Sequence, residues 1–179
     1  TSNTRVGVNA GNSIQSGGNY NTVVGDEAGT AITTGDENTA IGSESLDALN
    51  TGQYNTAVGK GTLSADTKGS QSTAVGTNAL QAQNFTSDTN SLNTAVGYSA
   101  GTSVTTGDTN TLIGGLSGDA LTTGDANVAV GVHALGGDTQ GLHSVAIGYN
   151  SLLTQNQTSA VNTYNVAVGS GAGQLVTTG

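Results

Sequence analysis

The chain contains no proline, cysteine, methionine or tryptophan, and its aromatic residues are five tyrosines and one phenylalanine among 179 positions. This composition excludes a conventional globular core of Leu, Phe and Met, a disulfide scaffold and a cysteine-ligated zinc site. Three basic against 12 acidic residues give a formal charge of −9, so the chain lacks the basic face that nucleic-acid binding requires. No apolar run approaches the roughly 18 residues that span a bilayer, so no membrane insertion is expected.

Glycine is abundant, at 29 positions, and it marks a repeat. A motif of Asn or Ser, a residue that is usually Thr or Val, a residue that is usually small, Val or Ile, and Gly recurs ten times, with examples in NTAIG (38–42) and SVAIG (144–148). The unit is 17 residues long. Two units carry four extra residues each, and these insertions fall within segments 81–92 and 153–164. The closing glycines are Gly7, Gly25, Gly42, Gly59, Gly76, Gly97, Gly114, Gly131, Gly148 and Gly169.

A longer period lies above this unit. Residues 26–97 and 98–169 align without gaps as two 72-residue blocks, each made of four units with the insertion in the fourth. Partial repeats occupy 1–25 and 170–179. The sequence therefore predicts one repeat array over 1–179, and we expect it to be a fragment of a longer fibre.

Within each unit the alternating motif predicts a short strand. A small residue followed by Leu or Gly, as at Ser45-Leu46, predicts a second strand, and Thr-Gly-Asp signals such as 34–36 predict turns. Two strands and two turns in 17 residues indicate an all-β parallel β-solenoid of about ten coils. The motif asparagines either form a ladder between coils or simply open turns.

We expect each coil to direct roughly one Val or Ile, one Ala and one Leu to the interior, and this small apolar area favours burial against partner chains. We expect three parallel copies of the chain, intertwined or side by side, to pack their small and β-branched residues against one another. The alanines and glycines of the motif would permit that close packing.

The NTAVG and SVAIG pentapeptides, spaced by Gly- and Thr-rich turns, resemble the shaft repeats of phage and prophage tail fibres. They are also similar to the YadA-like head repeats of trimeric autotransporter adhesins, although the 17-residue unit is longer than is usual there. The resemblance implies a homotrimeric left-handed β-roll on a virion tail fibre or at the extracellular cell surface. It also implies a host cell-surface glycan or protein as receptor.

Motifs that carry chemistry elsewhere are by-products of the repeat here. GYSAG (97–101) matches the G-x-S-x-G nucleophile elbow, but other coils hold Asn, Glu or Gly instead of Ser in that register. His133 and His143 occupy different unit positions, and we interpret them as exposed turn residues. Asp36, Asp108 and Asp125 follow turn glycines and are interpreted as solvated carboxylates, because one Asp per turn does not satisfy calcium. No catalytic, cofactor or metal site is predicted.

The insertions are the candidate recognition loops, because long loops on a solenoid project from one face and often bind ligands. They are alternatively bulges that staple neighbouring coils. The candidate surface residues are Asn84, Phe85, Thr86, Asn156, Gln157, Thr158 and Tyr164.

Three functions compete, and none is enzymatic. The first is a shaft and receptor-binding segment of a trimeric tail fibre, which supplies reach and rigidity. The second is the adhesive head of a bacterial trimeric autotransporter. The third is ice binding by threonine rows. The sequence disfavours this third function, because threonines such as Thr33, Thr34, Thr105 and Thr106 cluster at turns.

Overall fold

The computed structural model describes residues 2–178, and over this range the chain is an all-β parallel solenoid of about ten coils. The strands are β1 (Thr4–Val6), β2 (Thr22–Val24), β3 (Thr39–Ile41), β4 (Thr56–Val58), β5 (Gly69–Ser70), β6 (Thr73–Val75), β7 (Thr89–Asn90), β8 (Thr94–Val96), β9 (Thr111–Ile113), β10 (Val128–Val130), β11 (Gly141–Leu142), β12 (Val145–Ile147), β13 (Val161–Asn162) and β14 (Val166–Val168).

One parallel sheet runs the length of the rod in the order β1-β2-β3-β4-β6-β8-β9-β10-β12-β14. Identical motif positions pair across coils, so that Thr39, Ala40 and Ile41 lie opposite Thr56, Ala57 and Val58. Two smaller pairs, β5 with β7 and β11 with β13, form where the insertions lie. The repeat length therefore sets the register, and each coil adds one strand to the sheet.

The predicted second strand is wrong. Ser45-Leu46 and its counterparts lie in a tight turn, and Leu46 and Leu63 adopt left-handed backbone angles, with φ of 51° and 53°. A left-handed residue cannot continue a strand. Glycine takes the same position in other coils, where Gly29 and Gly118 have φ of 57° and 55°. The alternation of Leu and Gly therefore marks a left-handed turn.

The core lies inside each coil and is built from complementary volumes. Where the central strand residue is Ala, as at Ala40 and Ala57, a turn leucine fills the interior. Where that residue is large, as at Leu112, the turns beside it carry glycine. A Cβ on Gly118 would lie only 2.7 Å from a Leu112 methyl carbon. Steric exclusion of this kind explains why Leu and Gly alternate along the chain.

The motif asparagines form a buried ladder, which settles the alternative left open by the sequence. The Asn55 backbone N–H donates to Asn38 Oδ1 at 3.0 Å. The Asn38 side-chain amide donates to the Gly52 carbonyl at 2.9 Å. The same pair of bonds recurs one block later, where the Asn127 backbone N–H donates to Asn110 Oδ1 and the Asn110 side-chain amide donates to the Gly124 carbonyl. Each side chain thus ties its own coil together and binds the next one.

Serine replaces asparagine at Ser72 and Ser144, and there the insertions supply the missing amide. Gln83 Nε2 donates to Ser72 Oγ at 3.1 Å and to Asp66 Oδ2 at 2.6 Å, and Gln83 Oε1 accepts from Asn93. Gln155 makes the equivalent bonds to Asp138 Oδ2 and Ser144 Oγ at 2.5 and 2.9 Å. The insertions therefore repair the ladder by inserting a glutamine into the interior.

Candidate functional site

The outer face of the long sheet extends along the whole rod, and we call it the outer sheet face. It consists of the first and third residues of each strand, because side chains alternate across a strand. The third residues form a column of Val and Ile, among which Ile41, Ile113 and Val96 are 39%, 39% and 37% exposed. The first residues form a parallel column of threonines, replaced by valines near the C-terminus.

Aromatic and apolar residues flank these columns. Tyr20 and Tyr54 precede the ladder asparagines and are 67% and 51% exposed. Tyr98 and Tyr149 follow the closing glycines and are 61% and 57% exposed. Exposed apolar residues that lie together on one face mark interaction sites.

The structure changes one expectation about this face. The strand alanines do not point outward toward copies of the chain, because Ala40, Ala57 and Ala74 are fully buried inside their own coils. The turn leucines lie in the interior as predicted, whereas the Val or Ile predicted to lie there faces outward, as Ile41 and Ile113 show. A single chain therefore closes its own core, and only the β-branched column of the motif faces outward.

The turn threonines Thr33, Thr34, Thr105 and Thr106 lie outside the strands, as the sequence indicates. One further threonine opens each of the first seven strands of the long sheet, and these threonines pair in register. This column is Thr4, Thr22, Thr39, Thr56, Thr73, Thr94 and Thr111. The third residue of each of these strands is Val or Ile, so the long sheet carries no T-x-T strand over residues 2–178.

The candidate recognition residues of the insertions divide into two groups. Phe85 and Gln157 are 7% and 8% exposed, so they pack within the rod and are not part of its surface. Their backbone N–H groups donate to Asp66 and Asp138. Asn84 is half-buried and accepts from Thr67 Oγ1 at 3.0 Å. The others lie at the surface, and ligand binding there stays a prediction: Thr86, Asn156, Thr158 and Tyr164.

Buried residues of the insertions were missed by the sequence reasoning. Asp66 accepts hydrogen bonds from the Gly69 and Phe85 backbones and from Gln83, and it is 1% exposed. Asp138 repeats this arrangement 72 residues later. The sequence does contain a signal for this network, because its Asp, Ser and Gln residues all recur 72 residues apart. These contacts favour the staple interpretation for the inner half of each insertion.

The two histidines lie in different surroundings. His133 is half-buried in a turn with φ of 55°, whereas His143 is exposed, as predicted. His143 Nδ1 lies 3.0 Å from Asn162 Oδ1, and its ring centroid lies 5.3 Å from that of Tyr164. Ser99 of the G-x-S-x-G match is 7% exposed in a turn, with φ of 51°.

The turn aspartates are not simply solvated. Asp36 Oδ1 accepts from the Asn19 backbone at 2.6 Å, and Asp125 Oδ1 accepts from the Asp108 backbone at 2.9 Å. Desolvation raises the pKa of Asp125, while the Asp108 backbone bond and His143 oppose that rise. These carboxylates therefore link coils, in the way that side-chain acceptors cap exposed backbone N–H groups.

Desolvation also raises the pKa values of Asp47 and Asp119, which lie at equivalent positions of the two blocks. Each has one buried carboxylate oxygen, Oδ1, without a hydrogen-bond partner. Over residues 2–178 no group of three or more His, Asp or Glu is placed to hold a metal ion. The same range contains no helix long and apolar enough to span a bilayer.

Comparisons with protein-family models, with curated proteins and with solved structures find no match to this chain.

Proposed function

We propose that the chain is a rigid segment of a homotrimeric fibre of the phage tail-fibre type, which gives reach and stiffness for attachment to a host surface. The observation that carries the proposal is the outer sheet face. It carries an unbroken column of Val and Ile, each exposed or half-buried, on a rod whose own core is already closed. Such a column gains most by packing against identical columns in register, because identical repeats have identical spacing.

The self-closed core supports a side-by-side trimer over an intertwined one. Every pairing of the long sheet joins successive coils of the same chain, so no strand needs to come from another chain. About ten coils at ~4.8 Å each give a rod of roughly 50 Å. The same segment would serve as the adhesive head of a trimeric surface protein, and the resemblance of the repeats to fibre shafts favours the first assignment.

Solution mass measured by light scattering tests the proposal. We expect the wild-type chain to have a mass near 52.2 kDa, three times 17.4 kDa. The double variant V96K/I113K places lysines at the centre of the Val and Ile column, where charge repulsion and desolvation oppose assembly. We expect it to have a mass near 17.4 kDa with unchanged β circular dichroism.

The control is Gln81→Lys, which adds a lysine at an exposed turn residue. We expect this variant to keep the mass of the trimer. A monomeric wild-type chain, or a trimer that survives the double variant, would contradict the proposal. X-ray scattering supplies a second check, because side-by-side assembly triples the mass while the rod stays roughly 50 Å long.

The outward threonine column favours ice binding as a second candidate function. Seven threonines stand at regular intervals on a flat parallel sheet, although Val128, Val145 and Val166 end the column. A thermal hysteresis assay separates the candidates: activity that is lost on replacing Thr73 and Thr94 with lysine would favour ice binding, and no hysteresis would exclude it.

A further inference from the structure

The first insertion builds a polar groove that the second insertion does not reproduce. The groove has a volume of about 490 Å³, within the ~300–1,000 Å³ range of small-ligand sites. It lies between residues of the insertion and turn residues of the preceding coils. Its main lining residues are Thr51, Gln53, Lys68, Ser70, Asp88 and Asn90.

Inter-coil bonds hold this groove in place. Ser70 and Asn90 lie on β5 and β7, which pair in register. The Gln53 backbone N–H donates to Ser70 Oγ at 2.9 Å. Lys68 lies in a turn that is closed by a hydrogen bond from the Gly69 backbone N–H to Asp66 Oδ1. The backbone under the groove is therefore preorganised, which lowers the entropy that binding must overcome.

The chemistry of the lining matches a neutral polyhydroxylated ligand. Gln53 and Asn90 each carry an amide that both donates and accepts, while Thr51 and Ser70 contribute hydroxyls. One lysine and one aspartate leave the lining without net charge. An acidic ligand would be disfavoured by a chain with a formal charge of −9. An apolar ligand would find no aromatic or aliphatic side chain in the lining.

The second block differs at the positions that matter. Seventy-two residues further on, Lys68, Ser70 and Asp88 correspond to Gln140, Leu142 and Ala160. The counterpart of Asn90 is Asn162, whose side-chain oxygen is engaged by His143. The polar set is thus present once in the chain, although the backbone arrangement is present twice.

We propose that this groove binds a segment of a neutral oligosaccharide, through Gln53, Asn90, Lys68 and Asp88. The inference depends on the proposed attachment function in one respect, which is that the saccharide is a glycan of a cell surface. Because the groove lies on one chain, its occupancy does not depend on trimer formation.

The test is binding of the full chain to an array of defined neutral, sialylated and sulfated oligosaccharides, followed by titration with the neutral oligosaccharide that binds best. We expect binding among the neutral oligosaccharides and none to the sulfated or sialylated ones. We expect Asn90→Ala and Asp88→Ala each to weaken binding at least tenfold, since both side chains lie at the exposed rim of the groove.

Asn162→Ala is the matched control, at the equivalent position of the second insertion, and we expect it to bind like the wild-type chain. Solution mass and melting temperature of each variant show that assembly and folding are intact. Absence of binding to every neutral oligosaccharide would overturn the inference, as would equal effects of Asn90→Ala and Asn162→Ala. Because mass is measured separately, a failure here is distinguishable from a failure of the trimer.

Discussion

Gly114 and Gly115 are neighbours in sequence with opposite structural requirements. Gly114 closes a strand motif with φ of 132°, and a Cβ there would lie 2.6 Å from the Gly131 carbonyl oxygen of the next coil. A Cβ on Gly115 would meet its nearest heavy atom at 3.9 Å. The closing glycines thus form a column in which successive backbones nearly touch, and no side chain fits between them.

We expect Gly114→Ala to lower the free energy of unfolding by about 2 kcal/mol or more, because it combines left-handed strain with a backbone clash. We expect Gly115→Ala to stay within about 0.5 kcal/mol of the wild-type chain. Urea unfolding followed by circular dichroism measures both. Equal effects of the two variants would show that the glycine column does not limit coil spacing.

Asp119 offers a second test at the residue scale, and its effect depends on pH. Desolvation raises its pKa in the folded chain above the ordinary aspartate value of 3.8, so ionisation opposes folding. This destabilisation is present above the folded pKa and disappears as the pH falls below 3.8. We therefore expect Asp119→Asn to raise the melting temperature at pH 7 and to leave it unchanged at pH 3.

The Asp26→Asn variant serves as the control in the same melting experiments. It removes one negative charge from an exposed side chain, so no desolvated carboxylate is relieved. A gain of the same size in this control would attribute the effect to net charge. A gain in Asp119→Asn that persists at low pH would contradict the desolvation argument.

At the scale of the element, the asparagine ladder holds successive strands in register. Asn110 donates its side-chain amide to the Gly124 carbonyl at 2.8 Å, and its Oδ1 accepts from the Asn127 backbone at 2.9 Å. All of these groups are buried, so removal of the side chain leaves polar atoms without partners.

We expect Asn110→Ala to destabilise the chain by about 2–4 kcal/mol, since each buried group left without a partner costs roughly 1–3 kcal/mol. We expect Asn110→Ser to be harmful as well, because that coil has no insertion glutamine to replace the amide. The exposed Asn12→Ala variant should change little. Thermal unfolding of the three variants distinguishes a ladder from turn-opening asparagines, for which serine would suffice.

At the left-handed turn positions, backbone strain is balanced against side-chain burial. Left-handed positions are taken by Gly29 and Gly118 in some coils and by Leu46 and Leu63 in others. A leucine there carries steric strain of roughly 1–2 kcal/mol. Full burial of its side chain offsets that strain, since it contributes about 1.5–3 kcal/mol. The choice between the two residues follows the volume of the strand residue opposite.

At the scale of the whole molecule, stability comes from contacts between adjacent coils, as in other repeat proteins. Each coil buries one strand residue and one or two turn residues, and backbone bonds join it to its two neighbours. Growth of the rod therefore requires only more repeats. The outer sheet face grows with it, so the proposed lateral assembly would bury more apolar area as the array becomes longer.

Much of the architecture could be predicted from sequence, since periodicity reports it directly. The recurring glycines give the coil count, and the alternation within NTAIG gives the strand that begins each coil. The 72-residue period locates both insertions. Two predictions were wrong or incomplete for a common reason: the Leu46 turn was taken for a strand, and the strand alanines were directed outward. Both depend on how a coil closes, which a linear pattern does not show.

The candidate site was less accessible to sequence reasoning. Phe85 attracted attention as an aromatic residue in a long loop, yet it is buried against Asp66, whereas Lys68, Asp88 and Asn90 meet at a groove. Residues separated by one coil become neighbours only after closure, so their juxtaposition has no sequence signature of its own.

The repeat pattern alone specifies a solenoid of parallel coils, because a fixed period with a glycine at each end leaves the chain one repeated path. Which side of each strand is core and which is surface follows only from the closed coil. That choice depends on whether the turn leucines fill the interior, and they do. The Val and Ile column is left outside, together with a polar groove beside one insertion and not the other.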